Sequence, residues 1–191
     1  VSSSLNSGVI DIVSTHGAFA ALKNDGSVVT WGLTRDGGDS SGFSDQLSSG
    51  VNKIYSTNYS FAALKNDGSV VTWGFAKKAG QIDYLWGPWT SNGENGNSNV
   101  LESGVSKVCT MSDGYFAAIK TDGSVVVWGW GTPGVWLQSE DADVIRFVEI
   151  SDQLSSDVVN IFSTGRAAAA LKSDGSVVTW GEKISGGDSS S

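Results

Sequence analysis

The fold of this chain is restricted most by a unit that occurs four times in its 191 residues. Each unit opens with a leucine, passes through an apolar run and ends in a version of Ala-Leu-Lys-x-Asp-Gly-Ser-Val-Val-Thr-Trp-Gly. The units lie at residues 5–32, 47–74, 101–129 and 154–181. Such a period is typical of repeat proteins, in which a unit buries its apolar surface only against its neighbours. We therefore expect residues 1–191 to form a single repeat domain.

Each unit contains three short apolar runs, shown here for the first unit. The first run, residues 9–13, is rich in β-branched residues and reads as a buried strand. The second, residues 19–23, is too short for an independent helix. The third, residues 28–31, alternates with period 2 and places Val29 and Trp31 on one face. The sequence thus predicts an all-β fold of tandem three-stranded antiparallel sheets.

The second and third runs are joined by the same dipeptide in every unit. Asp-Gly between apolar runs is a strong hairpin signal, because glycine accepts a positive φ at little cost. The dipeptides are Asp25-Gly26, Asp67-Gly68, Asp122-Gly123 and Asp174-Gly175.

One tryptophan occupies the same place near the end of each unit. A large aromatic side chain repeated at one strand position is expected to stack between adjacent sheets. The predicted inter-sheet core therefore contains Trp31, Trp73, Trp128 and Trp180.

The string from Ala21 to Gly32 resembles the repeat of the regulator of chromosome condensation family. It recurs from Ala63, from Ala118 with Ile119 in place of leucine, and from Ala170. The short linkers are more similar to bacterial members with three-stranded blades, such as the propeller-type β-lactamase inhibitor protein. The resemblance implies a seven-bladed β-propeller and a binding or scaffolding role. With four repeats, the chain is expected to form a small ring, part of a larger ring or an open stack.

The two ends of the sequence match an internal linker. The linker of residues 33–46 carries Gly-Gly-Asp-Ser-Ser from Gly37, and the segment after the last repeat carries the same five residues from Gly186. Residues 182–191 and 1–4 together have the length of that linker. We therefore expect the array to continue into another copy or to close on itself. The Gly-Gly-Asp-Ser-Ser segments are expected to form tight turns in which Asp39 and Asp188 cap backbone N–H groups.

Charge and composition narrow the range of partners. A formal net charge of −8 argues against nucleic acid, which is bound largely through Lys and Arg. The sequence has neither an apolar run of membrane-spanning length nor a recognisable signal peptide. The acidic, Gly- and Ser-rich composition favours an extracellular location or the surface of a cell or particle. The single cysteine, Cys109, is expected to be a small core hydrophobe.

Two linkers are longer than the first and hold the remaining tryptophans. Residues 75–100 contain Tyr84, Trp86 and Trp89, and residues 130–153 contain Trp130 and Trp136. These aromatic side chains either fold back over a sheet edge or form an exposed contact surface for a protein or a glycan.

The sequence offers little for catalysis. His16 falls at a turn where other units have Asn58 and Gly165, and no nucleophile elbow, phosphate loop or paired zinc-ligand motif is present. Oxygen ligands for Ca²⁺ could come from Asp141 with Asp143 or from Asp39 with Asp188, but neither pair has the spacing of a dedicated site. We expect no enzyme activity and no cofactor.

The preferred hypothesis is a structural or adhesive module that associates end to end, with copies of itself or adjacent repeats, into a fibre, a layer or a longer array. Open blade arrays leave sheet surfaces that need a partner or a cap. The alternative is a soluble recognition propeller, such as an enzyme inhibitor, or a glycan-binding module that uses the loop aromatics.

Overall fold

The computed structural model describes residues 3–75, 84–86, 101–111, 114–129 and 151–189. Strands dominate these residues. The strands are β1 Val9–Ser14, β2 Ala18–Lys23, β3 Val28–Gly32, β4 Val51–Ser56, β5 Ser60–Lys65, β6 Val70–Gly74, β7 Tyr84–Trp86, β8 Val105–Thr110, β9 Tyr115–Lys120, β10 Val125–Gly129, β11 Val158–Ser163, β12 Ala167–Lys172 and β13 Val177–Gly181. The helix α1, Ser44–Leu47, is one turn long, and short 3₁₀ turns span Ser3–Leu5, Thr34–Asp36, Ser41–Phe43, Ser151–Leu154 and Lys183–Ser185. None of the helices described is long and apolar enough to cross a membrane.

Four antiparallel sheets follow one another along the chain, and we call them blades 1 to 4. Blade 1 has the strand order β1-β2-β3, blade 2 has β4-β5-β6, and blade 4 has β11-β12-β13. Blade 3 has the order β8-β9-β10 with β7 added beside β10. The prediction of an all-β chain of three-stranded repeats is confirmed.

The strand β7 is an addition that the repeat pattern did not predict. It comes from the linker before blade 3, and it pairs antiparallel with β10 so that Leu85 lies opposite Trp128. Its sequence, Tyr-Leu-Trp, suits a strand, and the outer edge of β10 offers it unpaired backbone groups.

The predicted Asp-Gly hairpins are present in every blade. In blade 1 the Lys23 N–H donates to the Ser27 carbonyl, and the Gly26 N–H donates to the Lys23 carbonyl, both at 2.9 Å. Gly26 has a φ of 78°, which glycine adopts without strain. The tight turn fixes the register, which sets Phe19 opposite Trp31.

Contacts divide the chain into two compact units. The first holds described residues 3–75 and 101–105, and the second holds 84–86, 106–111, 114–129 and 151–189. Each unit has its own apolar core, and in each the core lies between two consecutive blades.

The core of the first unit shows how two blades pack. Blade 1 contributes Ala20 and Leu22, and blade 2 contributes Ile54, Phe61 and Trp73. A blade therefore has two different faces. We call the face with the Ile54, Phe61 and Trp73 positions the leading face, because it meets the preceding blade, and the face with the Ala20 and Leu22 positions the trailing face. In the second unit Ala117 and Ile119 of blade 3 likewise pack with Ile161, Ala168 and Trp180 of blade 4.

Candidate functional site

The leading face of blade 1 is uncovered. Ile12 is 54% exposed and Phe19 is 44% exposed, whereas their equivalents in blade 2, Ile54 and Phe61, are 2% and 0% exposed. Trp31 is partly buried, whereas Trp73 is 1% exposed. Blade 1 thus presents to solvent the side chains that form the inter-blade core elsewhere in the chain.

The uncovered aromatic pair has the same geometry as the buried ones. Phe19 stacks on Trp31 with ring centroids 5.3 Å apart, and Phe61 stacks on Trp73 at 5.2 Å. The pair of Phe116 and Trp128 in blade 3 is stacked at 5.4 Å. The leading face of blade 1 is therefore already in the conformation that the buried faces adopt.

The trailing face of blade 4 is uncovered as well. Phe162 is 56% exposed and Val177 is 53% exposed, and Leu171 is partly exposed. The equivalents of Val177 and Leu171 in blade 3, Val125 and Ile119, are 0% and 3% exposed. Blade 1 in the first unit therefore has an exposed leading face, and blade 4 in the second unit has an exposed trailing face.

A glycine turn on the trailing face receives the aromatic pair of the next blade. In blade 1 the 3₁₀ turn Thr34–Asp36 ends at Gly37, which has a φ of 97°. The Trp73 indole N–H of blade 2 donates to the Gly37 carbonyl at 3.1 Å. The Phe61 ring is so close that a Cβ on residue 37 would lie 2.6 Å from it. Glycine is required here both for the backbone conformation and for the close approach.

Backbone hydrogen bonds fix the register between blades. The first residue of a blade donates its N–H to the carbonyl of the hairpin glycine in the preceding blade. This occurs from Val51 to Gly26 at 3.0 Å, and from Val158 to Gly123 at 3.0 Å. The N–H of Val105 bonds to the carbonyl of Gly68 in the same way, at 2.9 Å. A trailing face thus supplies acceptors and a leading face supplies donors.

The hairpin carboxylates serve a structural role. Asp67 Oδ1 accepts the Ser69 N–H at 2.9 Å and the Ser69 O–H at 2.6 Å, and the other three hairpins repeat this pattern. The serine hydroxyl and then the serine N–H lower the pKa of Asp67 below its ordinary value of 3.8. In the first linker Asp39 caps the Ser41 N–H at 2.9 Å, as expected from the Gly-Gly-Asp-Ser-Ser turn. No group of three or more metal-ligating side chains occurs in the part of the chain that the structure describes.

His16, the one histidine of the sequence, and Cys109, the predicted core cysteine, both make structural contacts. The backbone N–H of His16 donates to the Asn58 carbonyl at 2.8 Å, and the imidazole ring of His16 lies 6.4 Å from the ring of Tyr59. Cys109 packs partly buried against the second core, and burial raises the pKa of its thiol. A raised pKa makes a cysteine a weaker nucleophile at neutral pH, because less thiolate is present.

The predicted aromatic surface of the long linkers is described only in part. Tyr84 and Trp86 belong to β7 at the edge of blade 3. Trp89, Trp130 and Trp136 lie outside the described residues, as do Asp141 and Asp143. The surface formed by these aromatics stays a prediction.

The sequence predicts that an open array of blades leaves exposed sheet surfaces, but it does not identify the residues that lie on them. The available signal was the pattern within each unit, since Ile12, Phe19 and Trp31 keep the apolar character of their buried equivalents. Which of the four equivalent faces lacks a neighbour depends on packing and is visible only in three dimensions.

Solved structures of other proteins are similar to this chain in fold. Human WBSCR16 matches 95% of this chain and 50% of its own length, with 17% identity and a TM-score of 0.54. Prp20p from Saccharomyces cerevisiae matches 91% of this chain and 44% of its own length, with 16% identity and a TM-score of 0.55. Yeast RCC1 (Prp20), solved with Kap60, gives 20% identity and a TM-score of 0.50. The chain thus spans half or less of the length of these proteins, and it has an RCC1-like repeat fold.

No protein-family model and no curated protein matches this sequence.

Proposed function

We propose that this RCC1-like repeat chain is a non-catalytic protein-interaction module that associates end to end through its uncovered sheet faces. The observation that carries the proposal is the exposure of Phe19, 44%, at a position where Phe61 and Phe116 are fully buried. Exposed apolar patches that are rimmed by polar residues commonly mark sites of protein association.

The repeat geometry supports association with another blade rather than with a small ligand. In blade 2 the leading face packs against the trailing face of blade 1, and the glycine turn of blade 1 accepts a hydrogen bond from Trp73. Burial of apolar surface of this kind is the main driving force of protein association. The fold neighbour Prp20p was characterised for its binding to Gsp1p and histones, which supports a protein-binding role for this fold.

End-to-end association would build a fibre, a layer or a longer array on a cell or particle surface or outside the cell. The acidic composition, with a net charge of −8, favours solubility of the free module in such a setting.

The experiment compares two lysine substitutions on the same strand. In Ile12→Lys the charge falls on the leading face, whereas in the control, Ile10→Lys, it falls on a position that is exposed in every blade. We expect sedimentation velocity to show association of the unaltered chain and of Ile10→Lys. Ile12→Lys should associate about tenfold more weakly or worse, because a lysine would be buried without a partner.

Equal association of the two variants would contradict the proposal, as would a strictly monomeric unaltered chain. Circular dichroism spectra and unfolding curves establish that both variants are folded.

A further inference from the structure

We propose that the leading face of blade 1 binds the trailing face of blade 4 on a second copy of this chain, in the register that the chain uses between its own blades. This inference rests on the proposed end-to-end association and specifies its polarity and its contacts. The internal interfaces serve as the template, because the same side-chain positions recur on the two uncovered faces.

The receiving turn is already formed on blade 4. The 3₁₀ turn Lys183–Ser185 ends at Gly186 with φ 95° and ψ 12°, and the turn in blade 1 ends at Gly37 with φ 97° and ψ 11°. In each of the two blades a threonine hydroxyl donates a hydrogen bond to the turn. Thr15 donates to the Asp36 carbonyl at 2.9 Å, and Thr164 donates to the Ser185 carbonyl at 3.4 Å.

The place above this turn is open. A Cβ on Gly37 would strike the Phe61 ring, whereas a Cβ on Gly186 would meet nothing within 4 Å. The stacked pair of Phe19 and Trp31 matches the pair that occupies the equivalent place on blade 1. In the docked pair the indole N–H of Trp31 donates to the Gly186 carbonyl of the other copy.

The backbone pattern extends across the same interface. The hairpin glycine of blade 4, Gly175, is equivalent to Gly26 and Gly123, whose carbonyls accept from the next blade. A Cβ on Gly175 would meet nothing within 4 Å, whereas one on Gly123 would lie 2.4 Å from the Asp157 nitrogen. The Val9 N–H of the second copy is the equivalent donor and is expected to bond to the Gly175 carbonyl.

Polar side chains provide a further marker of the register. Lys107 in blade 3 donates to Asn160 Oδ1 in blade 4 at 2.6 Å, and the two residues hold the same position in successive blades. In blade 1 of the docked copy, which would follow blade 4, the residue at this position is Asp11. Asn160 would therefore lie beside a carboxylate.

The polarity follows from the chemistry of the faces. Two leading faces placed together would set donors such as the Val9 N–H against other donors, and neither face would offer a glycine turn to the aromatic pairs. Leaving buried donors unpaired is costly, so the association of a leading face with a trailing face is favoured. An interface of this head-to-tail type propagates into a ring or a filament.

The polarity is tested by blocking one face at a time. Ile12→Lys blocks the leading face and Phe162→Lys blocks the trailing face, since the equivalents of Phe162 in blades 1 and 3, Val13 and Cys109, pack against the neighbouring blade. Matched controls are Ile10→Lys on β1 and Val159→Lys on β11, both at the position that stays exposed in every blade.

We expect each blocked variant alone to be monomeric in sedimentation velocity. A mixture of the two has one free face of each type and should form a 1:1 dimer that grows no further, whereas the control variants should assemble like the unaltered chain. Dimers formed by either blocked variant alone would overturn the polarity and leave end-to-end association standing. The absence of association in every sample, including the unaltered chain, would overturn both proposals.

The register is tested by adding a charge next to Asp11. Asn160→Lys should tighten association by a few-fold, at most about fivefold, as expected for an exposed ion pair. The gain should vanish at about 1 M salt, where such pairs are screened. It should also reverse when Asp11→Lys is added to Asn160→Lys. Val159→Lys makes the same change in net charge one residue away, and an equal gain from it would contradict the proposed register.

Discussion

Trp31 and Trp73 hold the same position in two blades and differ in what lies in front of them. Both stack on a phenylalanine across the sheet, yet Trp73 is almost fully buried and donates its N–H to Gly37, whereas Trp31 is partly exposed. The free energy that a tryptophan contributes to folding depends on the surface it removes from water and on the packing around it.

We predict that Trp73→Ala destabilises the chain by about 3–5 kcal/mol, the usual loss for a buried large aromatic side chain. Trp31→Ala should lower the free energy of unfolding by clearly less, because Trp31 is already partly exposed. Urea unfolding at low protein concentration, where association does not contribute, measures both values. Equal losses for the two variants would show that the leading face of blade 1 is covered in solution.

The hairpin between the second and third strands of each blade is held by one carboxylate. Asp25, Asp67, Asp122 and Asp174 each accept two hydrogen bonds from the serine two residues later. These bonds, led by the serine hydroxyl, lower the pKa of all four carboxyls below the ordinary value of 3.8. A carboxyl whose pKa is lower in the folded state stabilises the fold above its unfolded pKa, and that stability is lost as the pH falls through the folded value.

We therefore predict that the free energy of unfolding falls as the pH is lowered from 5 towards and below 3.8. Asp67→Asn should make this fall shallower, because the amide oxygen still accepts from Ser69 but does not titrate. Urea titrations at several pH values give the slopes, and identical slopes for Asp67→Asn and the unaltered chain would contradict this role.

At the scale of elements, the sequence predicts the strands and hairpins that recur in every repeat, but it does not predict the strand β7. The Asp-Gly dipeptides, together with the period-2 pattern that places Val29 and Trp31 on one face, predict the hairpins and their register. Local turn chemistry determines both. The strand β7 has no counterpart in the first linker, residues 33–46. Its pairing with β10 depends on a strand edge that exists only after blade 3 is assembled. The exposure of Phe162 could not be predicted either, since the same position is partly buried in blade 3, where Cys109 packs against the next blade.

At the scale of the whole molecule, the repeat makes a second copy of the chain a suitable binding partner, because every blade has the same two kinds of face. The packing between blades 1 and 2, and between blades 3 and 4, shows how a trailing face covers a leading face. Blade 1 has an exposed leading face, marked by Phe19, and blade 4 has an exposed trailing face, marked by Phe162. The leading face supplies the stacked aromatic pair and backbone N–H donors, and the trailing face supplies the glycine turn and carbonyl acceptors that fit them.

The central claim is that these two faces associate between molecules, and the dependence of mass on concentration tests it most directly. Light scattering of the unaltered chain should give an apparent mass that rises above the 19.9 kDa of one copy as the concentration increases from about 1 µM to about 500 µM. A mass that stays at 19.9 kDa over this whole range would contradict the account.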